Sequence, residues 1–220
     1  MPHNDAEELL GKARAAYREF STYQDSGYVL QRRSGEDRMR TKFDTLFARP
    51  DMFRFRFERP HPYGPLQHII TRYQCGFEGE SAYLWMKQHE SPPQIESFES
   101  AEVAIGAATG VSGGTAHTIG QLLQSGVSGG FMELTDLRVI GESEVDGSVC
   151  MEVRGTPERV ALHTSIFIDP EALLIRKIST CFEKFTNDEH RTNICLNTPI
   201  DRSRFVRPLA DRRILDPMDK

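Results

Sequence analysis

Apolar positions along this chain follow two different periods. Near the start, Leu9, Ala13, Ala16, Tyr17 and Phe20 recur every three or four residues, which predicts one apolar helix face. Asn4 or Asp5 supplies a cap for this helix, and Glu7 and Glu8 suit its first turn. A single helix cannot bury that face alone, so it must pack on something else. The period then drops to two. In "MFRFRFERP", Phe53, Phe55 and Phe57 fall on one side and Arg54, Arg56 and Glu58 on the other, the pattern of a strand with one wet face. Similar runs predict strands over Tyr28–Arg33, Arg38–Ala48, Leu66–Tyr73, Ala82–Lys87 and Gln94–Phe98. Turn signals separate them: "DSG" at Asp25–Gly27, "SGED" at Ser34–Asp37, "HPYGP" at His61–Pro65 and "FEGES" at Phe77–Ser81.

The middle of the chain returns to helical spacing, with an Ala-rich stretch at Ser100–Thr109 and "TAHTIGQLLQ" at Thr115–Gln124. A second series of strands follows over Met132–Ile140, Ser148–Arg154, Arg159–Ile168, Leu173–Glu183 and Thr192–Leu196. "DG" at 146–147, "DP" at 169–170 and "TNDEH" at Thr186–His190 read as turns between them. About ten sequential antiparallel strands and three helices result, and so long a sheet must curl or close to bury its apolar face. The fold class expected from this pattern is mainly β with covering helices (α+β), one long antiparallel sheet. Residues 1–197 form one domain in this reading. Residues 198–220, with Pro199, Pro208 and Pro217, form a tail that is extended or a short helix.

Composition narrows the functional classes. The 220 residues are 38% hydrophobic and 27% charged, enough for a core and unlike a disordered chain. A net charge of -5 argues against a general nucleic-acid binder. No run approaches the ~20 apolar residues of a membrane span. The first residues carry no apolar signal core, so the expected location is cytoplasmic as written, or periplasmic or cell-envelope where an export signal precedes the chain. Cys75, Cys150, Cys181 and Cys195 are too far apart for a C-x-x-C pair, and no metal or cofactor is expected.

One motif raises the question of an enzyme. "GVSGG" occurs at Gly110–Gly114 and Gly126–Gly130, and each copy fits the G-x-S-x-G of a hydrolase nucleophile elbow. Ser112, Asp169 and His190 follow in the serine, acid, histidine order such a site uses. An elbow needs a sharp strand-to-helix turn in a mostly parallel sheet, and hairpins fill the chain upstream. Glycines flanking a short helix explain both copies without chemistry, with Ser112 or Thr115 capping the helix and Gly126 ending it. The segment then reads as a helical flap able to gate a cavity. His68, His89 and His163 are the other histidines to check for a cluster; His68 and His163 fall in apolar strand-like runs.

Several phrases carry a resemblance: "AYREFSTYQDSGYV", "FDTLFARPDMFRFRFE", "YLWM" and "IDPEALLIRKI". Over about Glu8–Leu196 the chain resembles the LolA/LolB-like superfamily of outer-membrane lipoprotein-sorting and carrier proteins, in a poorly characterised bacterial branch. The resemblance implies a LolA-like fold, a strongly curved and incompletely closed antiparallel β-barrel, with helices lining its opening and an apolar hollow that holds acyl chains. Phe43, Phe47, Phe53, Phe55, Phe57, Tyr83 and Trp85 are then the candidates for the inner layer. Arg54 and Arg56 occupy an early strand like the one whose arginine anchors strand–lid contacts in the carriers. The leading reading is a non-enzymatic module that binds an apolar or lipid-like ligand or an acylated protein. A serine-type hydrolase and a protein-interaction module without a small ligand are the alternatives.

Overall fold

The computed structural model describes residues 3–62, 64–79, 81–124, 134–157 and 162–208. The second GVSGG copy and the tail from 209 lie outside the described residues, as do the first residues of the strands expected from Met132 and Arg159. Helix α1 (His3–Glu19) leads into β1 (Thr22–Arg33), β2 (Glu36–Ala48), β3 (Met52–Pro60), β4 (Ile70–Glu78), β5 (Ser81–Gln88) and β6 (Gln94–Phe98). Helices α2 (Ala101–Ser112) and α3 (Thr115–Leu123) come next. The second half contains β7 (Thr135–Val145), β8 (Ser148–Thr156), β9 (His163–Asp169), β10 (Leu174–Cys181) and β11 (Phe185–Leu196).

All described strands belong to one antiparallel sheet, ordered β6-β5-β4-β3-β2-β1-β11-β10-β9-β8-β7. Each half is a meander, and the halves join where β1 pairs with β11. β6 and β7 form the two edges, so the barrel is incompletely closed as expected. The sheet curves around the helices. α2 lies over the β3–β6 half, α1 over β7 and β10, and α3 packs between them. One core results, containing Leu10, Tyr17, Phe55, Ile105, Ile119, Val153 and Ile166.

Local chemistry explains several departures from the predicted elements. α1 starts at His3, so Asn4 and Asp5 lie inside it, and its fully buried line is Ala6, Leu10, Ala13 and Tyr17. "DSG" is not a turn: β1 runs through it, with a bulge between Gln24 and Ser26 in its pairing with β11. Gly27 is needed there because a Cβ would lie 2.0 Å from the His190 carbonyl oxygen and 2.5 Å from Phe43 Cζ. The real turn follows at Ser34–Gly35, both with positive φ, as a tight hairpin requires. "TNDEH" is likewise inside β11, its carboxylates held by cations on the sheet. β4 begins at Ile70, which leaves His68 exposed in the preceding turn rather than in a strand.

Candidate functional site

Strand register decides which side chains share a face. Phe43 opposes Phe57, Phe47 opposes Phe53, and these continue to Tyr73 and Phe77 on β4. Phe43, Phe47, Phe53, Phe55 and Phe57 therefore form one aromatic floor on the concave side, each at most 1% exposed. The rings of Phe57 and Tyr73 stack at 4.6 Å, and those of Phe53 and Phe77 at 5.3 Å. Tyr83 and Trp85 do not join them. They sit opposite Gly76 and Gln74, on the outer face of the sheet. There Tyr83 Oη accepts from Gln74 Nε2 at 2.6 Å, and the Arg207 guanidinium lies over the Tyr83 ring. The segment after β11 crosses this outer face and buries Phe205 against Leu46, Ala48 and Met52. Arg54 and Arg56 also point outward and share the carboxylate of Asp44, at 2.7 and 2.8 Å.

The floor is covered rather than open. Ala104, Ile105 and Ala108 of α2, with Ala116, Ile119, Leu122 and Leu123 of α3, are buried in the same core. The two helices join through Gly113 and Gly114, with φ of 71° and 97°, a left-handed pair suited to glycine. Ser112 is part of this joint: its Oγ accepts from the Ala116 amide at 3.2 Å. Asp169 instead accepts from the Glu171 and Ala172 amides and pairs with Arg176. Burial opposes its ionisation, yet these contacts hold its carboxyl below the usual range. His190 Nδ1 lies 2.9 Å from Asp146, and its ring stacks on Tyr28. The structure does not bring Ser112, Asp169 and His190 together. His89 is exposed in a turn, and His163 is half-buried at the start of β9. Among the described residues no three His, Cys, Asp or Glu side chains are grouped to hold a metal.

A buried ionic cluster fastens the helices to the sheet where its halves meet. Arg191 on β11 donates to Asp25 on β1 and to Glu189, and all three are buried. Tyr23 Oη donates to Asp25 at 2.7 Å. Thr118 on α3 reaches across and donates to Glu189 at 2.8 Å. The Arg191 guanidinium also lies 5.1 Å from the Phe43 ring centre, so the cluster adjoins the aromatic floor. Burial alone would lower the Arg191 pKa, but the carboxylates of Glu189 and Asp25 hold it well above its ordinary value. Burial first, then the charge of Asp25, pushes the Tyr23 hydroxyl well up. Sequence reasoning missed this cluster because both its segments resemble turns. The available signal was Glu189 and Arg191 two apart, opposite charges on one strand face.

Comparison with family models finds no match, and comparison with curated proteins finds none. Among solved structures, the chain is similar to a chain of the Pseudomonas aeruginosa MucA/MucB complex, at 14% identity and a TM-score of 0.51. That likeness covers 93% of this chain and 61% of the other, so this chain spans under two thirds of that neighbour. It is also similar to the lipoprotein LppX of Mycobacterium tuberculosis, at 16% identity, covering 88% of this chain and 97% of that one, with a TM-score of 0.46. A LolA-superfamily protein of Nitrosomonas europaea is similar at 8% identity, covering 92% and 97%, with a TM-score of 0.37. The fold is one open, curved antiparallel sheet with helices over its concave side, similar to that chain of the MucA/MucB complex. No described helix is long and apolar enough to cross a membrane.

Proposed function

We propose that this protein is a non-enzymatic carrier whose concave sheet takes up an apolar chain, from a lipid or an acylated protein, when the α2–α3 hairpin swings aside. One observation carries the reading: a continuous phenylalanine floor lies beneath a hairpin jointed at Gly113–Gly114 and fastened by the Thr118–Glu189 contact. The hairpin covers the floor with Ala104, Ile105, Ala108, Ala116, Ile119, Leu122 and Leu123, so its departure uncovers large apolar surface. An acyl chain suits such a surface, since each buried CH₂ contributes about 0.8 kcal/mol. Buried polar groups in the same interior support an amphiphile over a plain hydrocarbon. Thr45 Oγ1, in register with Asp25, and the Gln121 carboxamide, one helical turn from Thr118, have no hydrogen-bond partner among the described residues. A ligand's polar end would satisfy them.

Native mass spectrometry of the protein purified from cells, before and after incubation with a lipid extract, tests the proposal. A mass excess that dissociates on denaturation as a lipid or acyl species is the expected result. An unchanged apo mass under both conditions would sink it. A copurifying protein without lipid would favour the interaction-module reading, for which the exposed sheet edges β6 and β7 provide pairing surfaces.

A further inference from the structure

The opposite face of the sheet holds a cavity that the carrier reading does not use. It measures about 470 Å³, within the range of small-molecule sites. Register explains its lining: Tyr28 opposes Lys42, Ser26 opposes Asp44, and Asp44 opposes Arg56, all on the outer side of β1, β2 and β3. Thr192 and Asn193 of β11 border it, and Arg204 closes one end, its Nη1 donating to Gln24 at 3.0 Å. At the other end Arg40 lies 3.8 Å above the Tyr28 ring.

The charges of this cavity do not balance. Arg40, Lys42, Arg56 and Arg204 line it, against Asp25 and Asp44. Asp25 is already paired with Arg191, and Asp44 is shared between Arg54 and Arg56. Neighbouring carboxylates are committed elsewhere. Glu58, opposite Lys42, pairs with Arg72 at 2.8 Å, Asp188 pairs with Arg32 and Lys177, and Asp146 hydrogen-bonds the His190 ring. Among the described residues Arg40 and Lys42 therefore have no carboxylate partner. A chain of net charge -5 thus sets unmatched positive charge along one open groove, with Arg40 and Lys42 exposed to solvent, beside side-chain amides and hydroxyls. Clustered cations without carboxylate partners create a positive potential that favours a complementary anion. Gln24, Ser26, Thr192 and Asn193 add donors and acceptors for hydroxyl groups.

We propose that this outer cavity is an anion site for a phosphate bearing hydroxyl groups, a polyol phosphate, either free or as a lipid headgroup. Arg40 and Lys42 engage the phosphate oxygens, and the β1 and β11 polar groups take the hydroxyls. The four cations of the site face away from the hollow, while Asp25 and Phe43 border both.

The test titrates the full chain with glycerol phosphate, and separately with phosphatidylglycerol vesicles, using phosphatidylcholine vesicles as the control. The Arg40→Gln/Lys42→Gln double variant and the charge-keeping Arg40→Lys/Lys42→Arg variant are measured alongside, with circular dichroism confirming their fold. Losing two charged contacts weakens binding by roughly a hundredfold or more. Binding of glycerol phosphate that the glutamine variant loses and the charge-keeping variant retains supports a free ligand. The same pattern with anionic vesicles alone supports a headgroup. Binding to neither probe, or equal binding by the glutamine variant, overturns the proposal. Uptake of an apolar probe by the glutamine variant stays at the parent level, which separates this site from the hollow.

Discussion

Removing the Arg191 guanidinium leaves Asp25 and Glu189 buried without their cation. Arg191→Met is therefore expected to destabilise the fold by about 3–5 kcal/mol, read as a lower urea midpoint. Adding Asp25→Asn and Glu189→Gln recovers much of that loss, since the unpaired charge rather than the lost bridge dominates it. A triple variant as unstable as the single one would contradict this account. Alkali tests burial in the same way. Burial pushes Tyr17, Tyr83 and Cys75 each up to about 12, from ordinary values of 10.0, 10.0 and 9.0. The folded chain keeps these protons where the unfolded chain loses them, so their stabilisation is complete below pH 9 and lost as pH rises toward about 12. Urea midpoints should fall over that window, with tyrosinate absorbance following unfolding; a flat midpoint would count against it. That the phenylalanines share one face was legible from alternation; which face is concave was not. Arg191 was not, because a charged residue between polar neighbours reads as solvated until its partner strand is known.

The elements show where local chemistry misleads. Asp, Ser and Gly at 25–27 have turn composition, but the glycine serves packing: the Phe43 ring lies across it. Gly27→Ala should cost about 3 kcal/mol or more, because backbone as well as a ring must move. A variant with near-parent stability would refute that explanation. Gly113 answers to a different constraint, φ of 71° with Val29 Cγ1 3.3 Å from where a Cβ would sit. Gly113→Ala is expected to cost about 1–2 kcal/mol. Hydrogen exchange should show the loss in α2 and α3 while β1 and β11 stay protected. Uniform loss across the sheet would mean that the hairpin is no separate unit. The helices themselves were legible from spacing. The extent of β1 and β11 was not, since their pairing depends on contacts between the two ends of the chain.

At the scale of the molecule, the sheet has two working faces and parity cannot tell them apart. Tyr83 and Trp85 alternate within their strand as the phenylalanines do, yet the β4–β5 register turns them outward beneath the C-terminal segment. The open architecture was legible because sequential strands without crossover helices leave few arrangements. The central claim is that the concave floor becomes accessible only when the hairpin leaves it. A Cβ at position 113 lies 4.0 Å from Val29 Cβ, within the usual reach of a disulfide. A Val29→Cys/Gly113→Cys variant therefore locks the hairpin to β1 when oxidised and frees it when reduced. Uptake of a fluorescent fatty acid by the two states is the most direct measurement. The account predicts binding by the reduced protein and its loss, by roughly tenfold or more, on oxidation. Equal binding in both states, or none by the reduced protein and the parent, would contradict it.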